Sequence, residues 1–162
     1  MQFDVVVEVP KGSRNKYEID HASGIVRLDR QLFTATRYPA DYGFVPGTLA
    51  EDGDPLDALV LLDEATFPGC HIDSRAIGVL HTHDEKGGDA KLLTVPAQDP
   101  RVIWKDIADV PEHMLLEIRH FFEIYKDLEP GKGVVVEGWD GRAAAEAVVS
   151  AALQRFAQAH PG

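Results

Sequence analysis

The chain has 162 residues, 44% of them apolar, which suits one domain around one sizeable core. A formal net charge of −11 speaks against nucleic-acid binding, and a lone cysteine, Cys70, leaves no disulfide framework or cysteine zinc cluster. With no signal-peptide pattern and no bilayer-length apolar run, a single soluble domain over 1–162 in the cytoplasm is expected, with no membrane partner.

FDVVVEVP alternates and predicts a strand that ends at Pro10. NKYEIDHASGIVRLDR predicts a hairpin with HASG as its turn. ALVLLD, RAIGVLHTHD and AKLLTVP predict three more strands, with DEKGGD turning between the last two. The period then changes. Met114, Ile118, Phe121 and Tyr125 fall on one helical face, with Pro111 before it and Pro130-Gly131 after it. VVVEGW predicts a short strand. Asp140 is the expected cap of an Ala-rich helix with Ala145, Val149, Ala152 and Phe156 on one face. Strands first and helices last indicate an α+β fold, expected as a small closed antiparallel β-barrel, OB-like, with two main helices packed outside.

EDGDPLD, residues 51–57, crowds four acids into a turn just before the core run ALVLL. Two like charges about 4 Å apart repel by roughly 4 kcal/mol at an effective dielectric near 20. Asp52, Asp54 and Asp57 held together therefore call for a cation. Oxygen-only ligands select hard ions such as Mg²⁺, Mn²⁺ or Ca²⁺. Pro55 and the identities at 56 and 57 exclude an EF-hand. The plain alternative is a solvated acidic turn. A second acidic group, Asp84 and Asp89 on either side of Gly-Gly, makes a shared multi-metal site the better reading, although a polar hairpin tip would look the same.

Lys16 and Glu18 share a strand face, Arg30 ends the hairpin, Tyr42 lies near turn signals, and Tyr125 and Lys126 close the helix. Singly, each reads as a surface pair or a core residue. Together, such donors beside carboxylate-held metal describe a phosphate site.

These pieces resemble the family I soluble inorganic pyrophosphatases of bacterial type. DGDPLDA matches the D-x-D-P-x-D signature. EVPKGSRNKYEID, LDR, YPADYGFVPGTL, GVLHTHDEKGGDAKLLTVP and FFEIYKDLEPGK match in order, from about Phe3 to Lys132. The resemblance implies an Mg²⁺-dependent enzyme that splits pyrophosphate into two orthophosphates by direct attack of a metal-activated water. It implies several Mg²⁺ ions per site, with Mn²⁺ or Zn²⁺ able to substitute. Asp52, Asp57 and Asp89 then hold the principal metal, Asp57 bridging to a second. Asp84 and Asp89 hold a further ion, and Glu8 and Glu18 stand near the cluster. Lys16, Arg30, Tyr42, Tyr125 and Lys126 bind substrate, and Lys91 supports them. Asp54 or Asp89 accepts the proton from water. The resemblance also implies a homo-oligomer, a hexamer.

Two rivals stand beside this reading. His81 and His83 in HTHDE share a strand face and could begin a zinc hydrolase site, but the H-x-H-x-D-H pattern fails at Glu85 and Lys86. The second is a non-enzymatic barrel that binds an oligonucleotide or a protein; the net charge of −11 and the lack of clustered basic and aromatic residues speak against nucleic acid.

Overall fold

The computed structural model describes residues 1–162. Eight strands precede, or fall between, two helices: β1 Phe3–Val9, β2 Asn15–Ile19, β3 Val26–Gln31, β4 Asp41–Val45, β5 Leu56–Val60, β6 His71–Asp84, β7 Gly87–Pro96, α1 Glu112–Ile124, β8 Val134–Gly141 and α2 Arg142–Ala159. The main sheet runs β1-β4-β5-β7-β6-β8, and a further β1–β6 pairing closes five of its strands into a ring. β2 and β3 form a separate two-stranded sheet. The ring is the expected small barrel, with one difference. β5 and β7 pair in parallel, because the long β6 lies between them in sequence and crosses to β1. The other ring pairs are antiparallel.

Continuous apolar runs suit strands buried on both faces. Leu59, Leu93 and Val95 pack with Ile118, Phe121 and Phe122 of α1. Their chain neighbours Ala58, Val60 and Leu92 pack with Ala145, Val149 and Ala152 of α2. No helix is long and apolar enough to cross a membrane.

Three local expectations are corrected. Asp140 does not cap α2. β8 runs straight into the helix through Gly141, so Asp140 is still in the strand, opposite Val79. The first helical N–H, of Arg142, donates instead to Asp106 Oδ1 at 2.9 Å, while Asp140 faces His81 Nε2 at 2.9 Å. The β6–β7 turn is Glu85-Lys86 rather than Gly-Gly, because Asp84 Oδ1 accepts the Lys86 N–H at 2.8 Å and fixes the turn early. YPADYGFVPG hides a strand. Its prolines read as turns, yet Asp41–Val45 is buried throughout.

β4 presses closely on β1. A Cβ on Gly43 would lie 1.9 Å from the Val6 carbonyl oxygen. That contact is backbone on backbone, so no rotamer can relieve it. Gly43→Ala should therefore cost at least about 2 kcal/mol. A lower urea midpoint with unchanged slope is the expected result, and an unchanged midpoint would show that β1 and β4 can separate freely.

Candidate active site

Asp57 on β5 and Lys91 on β7 are register partners in the parallel pair, which sets their side chains beside each other. Lys91 is only 2% exposed. Its Nζ donates to Asp89 Oδ2 at 2.8 Å, to Tyr42 Oη at 2.8 Å and to Asp57 Oδ2 at 3.2 Å. An ammonium has three protons, so none is left without an acceptor. Tyr42 Oη in turn donates to Asp57 Oδ2 at 2.6 Å. The same Nζ lies 4.9 Å from the ring centre of Phe122 and 5.2 Å from that of Tyr42. Burial alone would drive the proton off Lys91. Tyr42, Asp89 and Asp57 outweigh it and hold the amine well above its usual range.

The acids respond to the same crowding. Burial, joined by the Asp57 charge, raises Asp89 despite Lys91. Burial, joined by Asp89 and Asp54, raises Asp52. Burial pushes Glu8 up to about 7, opposed by the Ile19 N–H and Lys16 and aided by Asp57 and Glu18. Burial likewise carries the Tyr125 hydroxyl up to about 12.

The acid-rich turn is held by its own backbone. Ala50 N–H donates to Asp54 O at 2.7 Å, Gly53 N–H to Ala50 O at 3.1 Å, and Asp54 N–H to Asp52 Oδ1 at 3.0 Å. Gly53 takes φ +91°, which favours glycine. Glu51 turns outward toward Arg155, 3.6 Å away. Asp54 is exposed at the tip, and its charge acts on Asp52.

The cations of the rim are each paired. Lys126 Nζ lies 3.5 Å from Asp84 Oδ2. Lys16 Nζ donates to Glu18 Oε1 at 2.8 Å. Arg30 contacts Asp29, and its Nη2 donates to Glu129 Oε2 at 3.2 Å. Its Nε lies 3.1 Å from Glu129 Oε1, but out of line for a hydrogen bond. Asp84 and Asp89 sit on one face of the β6–β7 hairpin but are not directly opposite, since Asp84 faces Gly87 and Asp89 faces Thr82.

Glu8, Asp52, Asp57, Asp89, Lys91, Tyr42 and Tyr125 are thus electrostatic neighbours. Lys126 with Asp84, Arg30 with Glu129, and Lys16 with Glu18 stand beside them as pairs. Asp29, Glu129 and the buried Tyr38, whose ring lies 5.4 Å from that of Tyr42, were not signalled by any local pattern.

No three His, Cys, Asp or Glu side chains are placed to close on one ion, and Asp57 and Asp89 both turn an oxygen to Lys91 Nζ. The donor set nevertheless fits a hard divalent cation. All its ligands are carboxylate oxygens, and three acids, Asp52, Asp57 and Asp89, share the charge of one buried lysine. His81 and His83 do not share a ligand set. His81 faces Asp140, and His83 Nδ1 faces Glu137 Oε1 at 2.7 Å.

The inorganic pyrophosphatase family model matches residues 5–157. An inorganic pyrophosphatase of Streptomyces coelicolor is 63% identical over 157 residues, covering 96% of each chain. A solved inorganic pyrophosphatase of Helicobacter pylori superposes with TM-score 0.93 at 46% identity, covering 96% of this chain and 93% of its own. One from Thermus thermophilus gives TM-score 0.92 at 52% identity, covering 96% and 91%.

The Glu8 shift has a pH consequence. Its folded pKa lies above the ordinary glutamate value, so the stability it contributes is present below about pH 4.5 and lost as pH rises through about 7. In chelator-treated protein, Glu8→Gln keeps an acceptor for Ile19 and removes that loss. The variant should gain on the order of 2 kcal/mol over wild type between pH 5 and 8. A difference that stays constant with pH in urea melts would refute the assignment.

Proposed function

The chain belongs to the inorganic pyrophosphatase family, and from that premise we propose that it hydrolyses pyrophosphate to two orthophosphates by direct attack of water on phosphorus. The observation that carries this is the buried Lys91 shared by Asp57 and Asp89 and tied to Tyr42, with three further cations at the rim. A site rich in both carboxylates and fixed donors suits a small, densely charged anion that arrives with metal.

Asp52, Asp57 and Asp89 are the proposed holders of the principal Mg²⁺, with Asp57 shared by a second ion. Asp84 and Asp89 take a further ion, and Glu8 and Glu18 stand alongside. Mn²⁺ or Zn²⁺ is expected to substitute. Bound there, such ions supply an acidified water and positive charge against the phosphoryl oxygens.

The chain's own groups do the rest. Lys16, Arg30 and Lys126 bind phosphate oxygens, and Arg30 offers a planar pair of donors. Tyr42 and Tyr125 add hydroxyl donors without adding charge. Their raised pKa values keep them protonated at neutral pH. Lys91 holds Asp57 and Asp89 in place. As water oxygen bonds to phosphorus, its proton passes to Asp54 or Asp89 and the bridging P–O bond breaks. Asp54 has the access, and Asp89 has the raised basicity. The cytoplasm is the proposed compartment, consistent with the free thiol of Cys70.

Purified protein with Mg²⁺ should release phosphate from pyrophosphate, and no release under those conditions would sink the proposal. Asp57→Asn should lower turnover by at least about a hundredfold with little loss of stability, since relieved crowding offsets the lost contacts. Near-normal turnover would remove Asp57 from the site. A closed homo-oligomer, a hexamer, is proposed for the solution state, and light scattering at micromolar protein that gives a monomer mass would reject it.

A further inference from the structure

Glu129 is one of the few buried charged residues of the chain, 8% exposed. It lies in the turn that follows α1, three residues after Lys126, whose carbonyl accepts its N–H at 2.9 Å. No role in the reaction described above uses it. Its carboxylate grips the Arg30 guanidinium across 99 positions of sequence, Oε2 accepting from Nη2 at 3.2 Å and Oε1 lying 3.1 Å from Nε.

Arg30 needs such a partner. It stands at the end of the β2–β3 hairpin, which forms no ladder with the barrel. Apart from Ser13, whose hydroxyl bonds the nearby Asn15 backbone, two side-chain hydrogen bonds reach the hairpin from outside it: Glu8 accepts the Ile19 N–H at 2.8 Å, and Glu129 accepts from Arg30. Asp29 also contacts Arg30, but it is the adjacent residue on the same strand. It moves with Arg30 and cannot fix the strand relative to the barrel. Glu129 can, because its turn is continuous with Tyr125 and Lys126. A guanidinium is a rigid planar fork, so a carboxylate on one edge sets the direction in which the other edge points.

We infer that Glu129 is a positioning residue: it aims Arg30 at the anion site and locks the β2–β3 hairpin to the turn carrying Tyr125 and Lys126. This rests on the pyrophosphatase reading of the site. Its action is exerted through Arg30, and so it vanishes when Arg30 is gone. It also predicts that Lys16, carried on the same hairpin, shifts with Arg30 when the lock is removed.

The test is a double-mutant cycle with Glu129→Gln and Arg30→Gln, read as kcat/KM for pyrophosphate hydrolysis with Mg²⁺. Glu129→Gln alone should lower kcat/KM by about tenfold to a hundredfold, the range for loss of a charge-assisted hydrogen bond. In the Arg30→Gln background the same change should cost less than about twofold, because the coupled term is already absent. Equal losses in both backgrounds, or no loss in the single variant, would overturn the inference. Glu129→Asp, which keeps charge but shortens the reach, should fall between wild type and Glu129→Gln.

A second readout does not depend on turnover. In chelator-treated protein, the Arg30 guanidinium nitrogen signals should show slower rotation in wild type than in Glu129→Gln, where the Asp29 contact alone remains. Rotation as fast in wild type as in the variant would overturn the lock. If wild type releases no phosphate but its guanidinium is restricted, the pyrophosphatase reading fails while the lock stands.

Discussion

The molecule is organised around a charge taken out of water. Lys91 is buried, and a buried ammonium persists only if its protons are accepted and its charge is balanced. Asp89, Asp57 and Tyr42 meet both conditions. Removal of the lysine would leave two neighbouring carboxylates with no counterion between them, and breaking a buried pair in this way typically costs about 3–5 kcal/mol. The topology serves this arrangement. Asp57 and Lys91 become neighbours because β5 and β7 pair in parallel, and that pairing exists because β6 is long enough to cross over and close the ring against β1.

The floor beneath that charge is aromatic. Phe122 of α1 lies under the Lys91 ammonium, Phe121 stacks on Tyr125, and Tyr38 sits 4.7 Å from Phe121. Tyr42 and Tyr125 place their rings in the core, and the Tyr42 hydroxyl reaches out of it to Asp57. A tyrosine can do this because one end is apolar and the other polar. Core packing and site geometry are therefore one construction. Loss of α1 packing would displace Tyr125 and the adjacent Lys126 together.

Sequence alone revealed whatever is encoded over short spans. The acid spacing of residues 51–57 and the helical face of Met114 to Tyr125 are local patterns, and the structure keeps them; β1 forms where its alternation predicts a strand, but Val5, Val6 and Val7 are all buried, so the alternation itself is lost. Asp41–Val45 was hidden because all five residues are buried, which removes the period-two signal, and because prolines flank it. The Asp140 cap failed for a tertiary reason. Asp106, from a distant segment, reaches the helix start first. Glu129 was invisible because its partner lies 99 residues away and no spacing rule spans that distance. The aspartates announce the site, and the ion pairs that hold its cations in place emerge only from the fold.

Those ion pairs explain how a strongly acidic chain can accept an acidic substrate. Four cations, Lys16, Arg30, Lys91 and Lys126, line the site, and each already faces a carboxylate. Around them stand Glu8, Glu18, Asp29, Asp52, Asp54, Asp57, Asp84, Asp89 and Glu129. The acids outnumber the cations, so the local field repels an anion even before the net charge of −11 is counted. Basic residues alone cannot reverse that sign. Divalent ions can, because each carries two charges into a region where carboxylates are already crowded, and the crowding itself favours their entry. On the proposed reading the paired lysines and arginine would then act as directed donors rather than as the source of attraction. On this argument the excess of acid is the physical ground for metal dependence. On the proposed reading the surplus carboxylates would bring in metal ions, and those ions with the fixed donors would make the site attractive to phosphate.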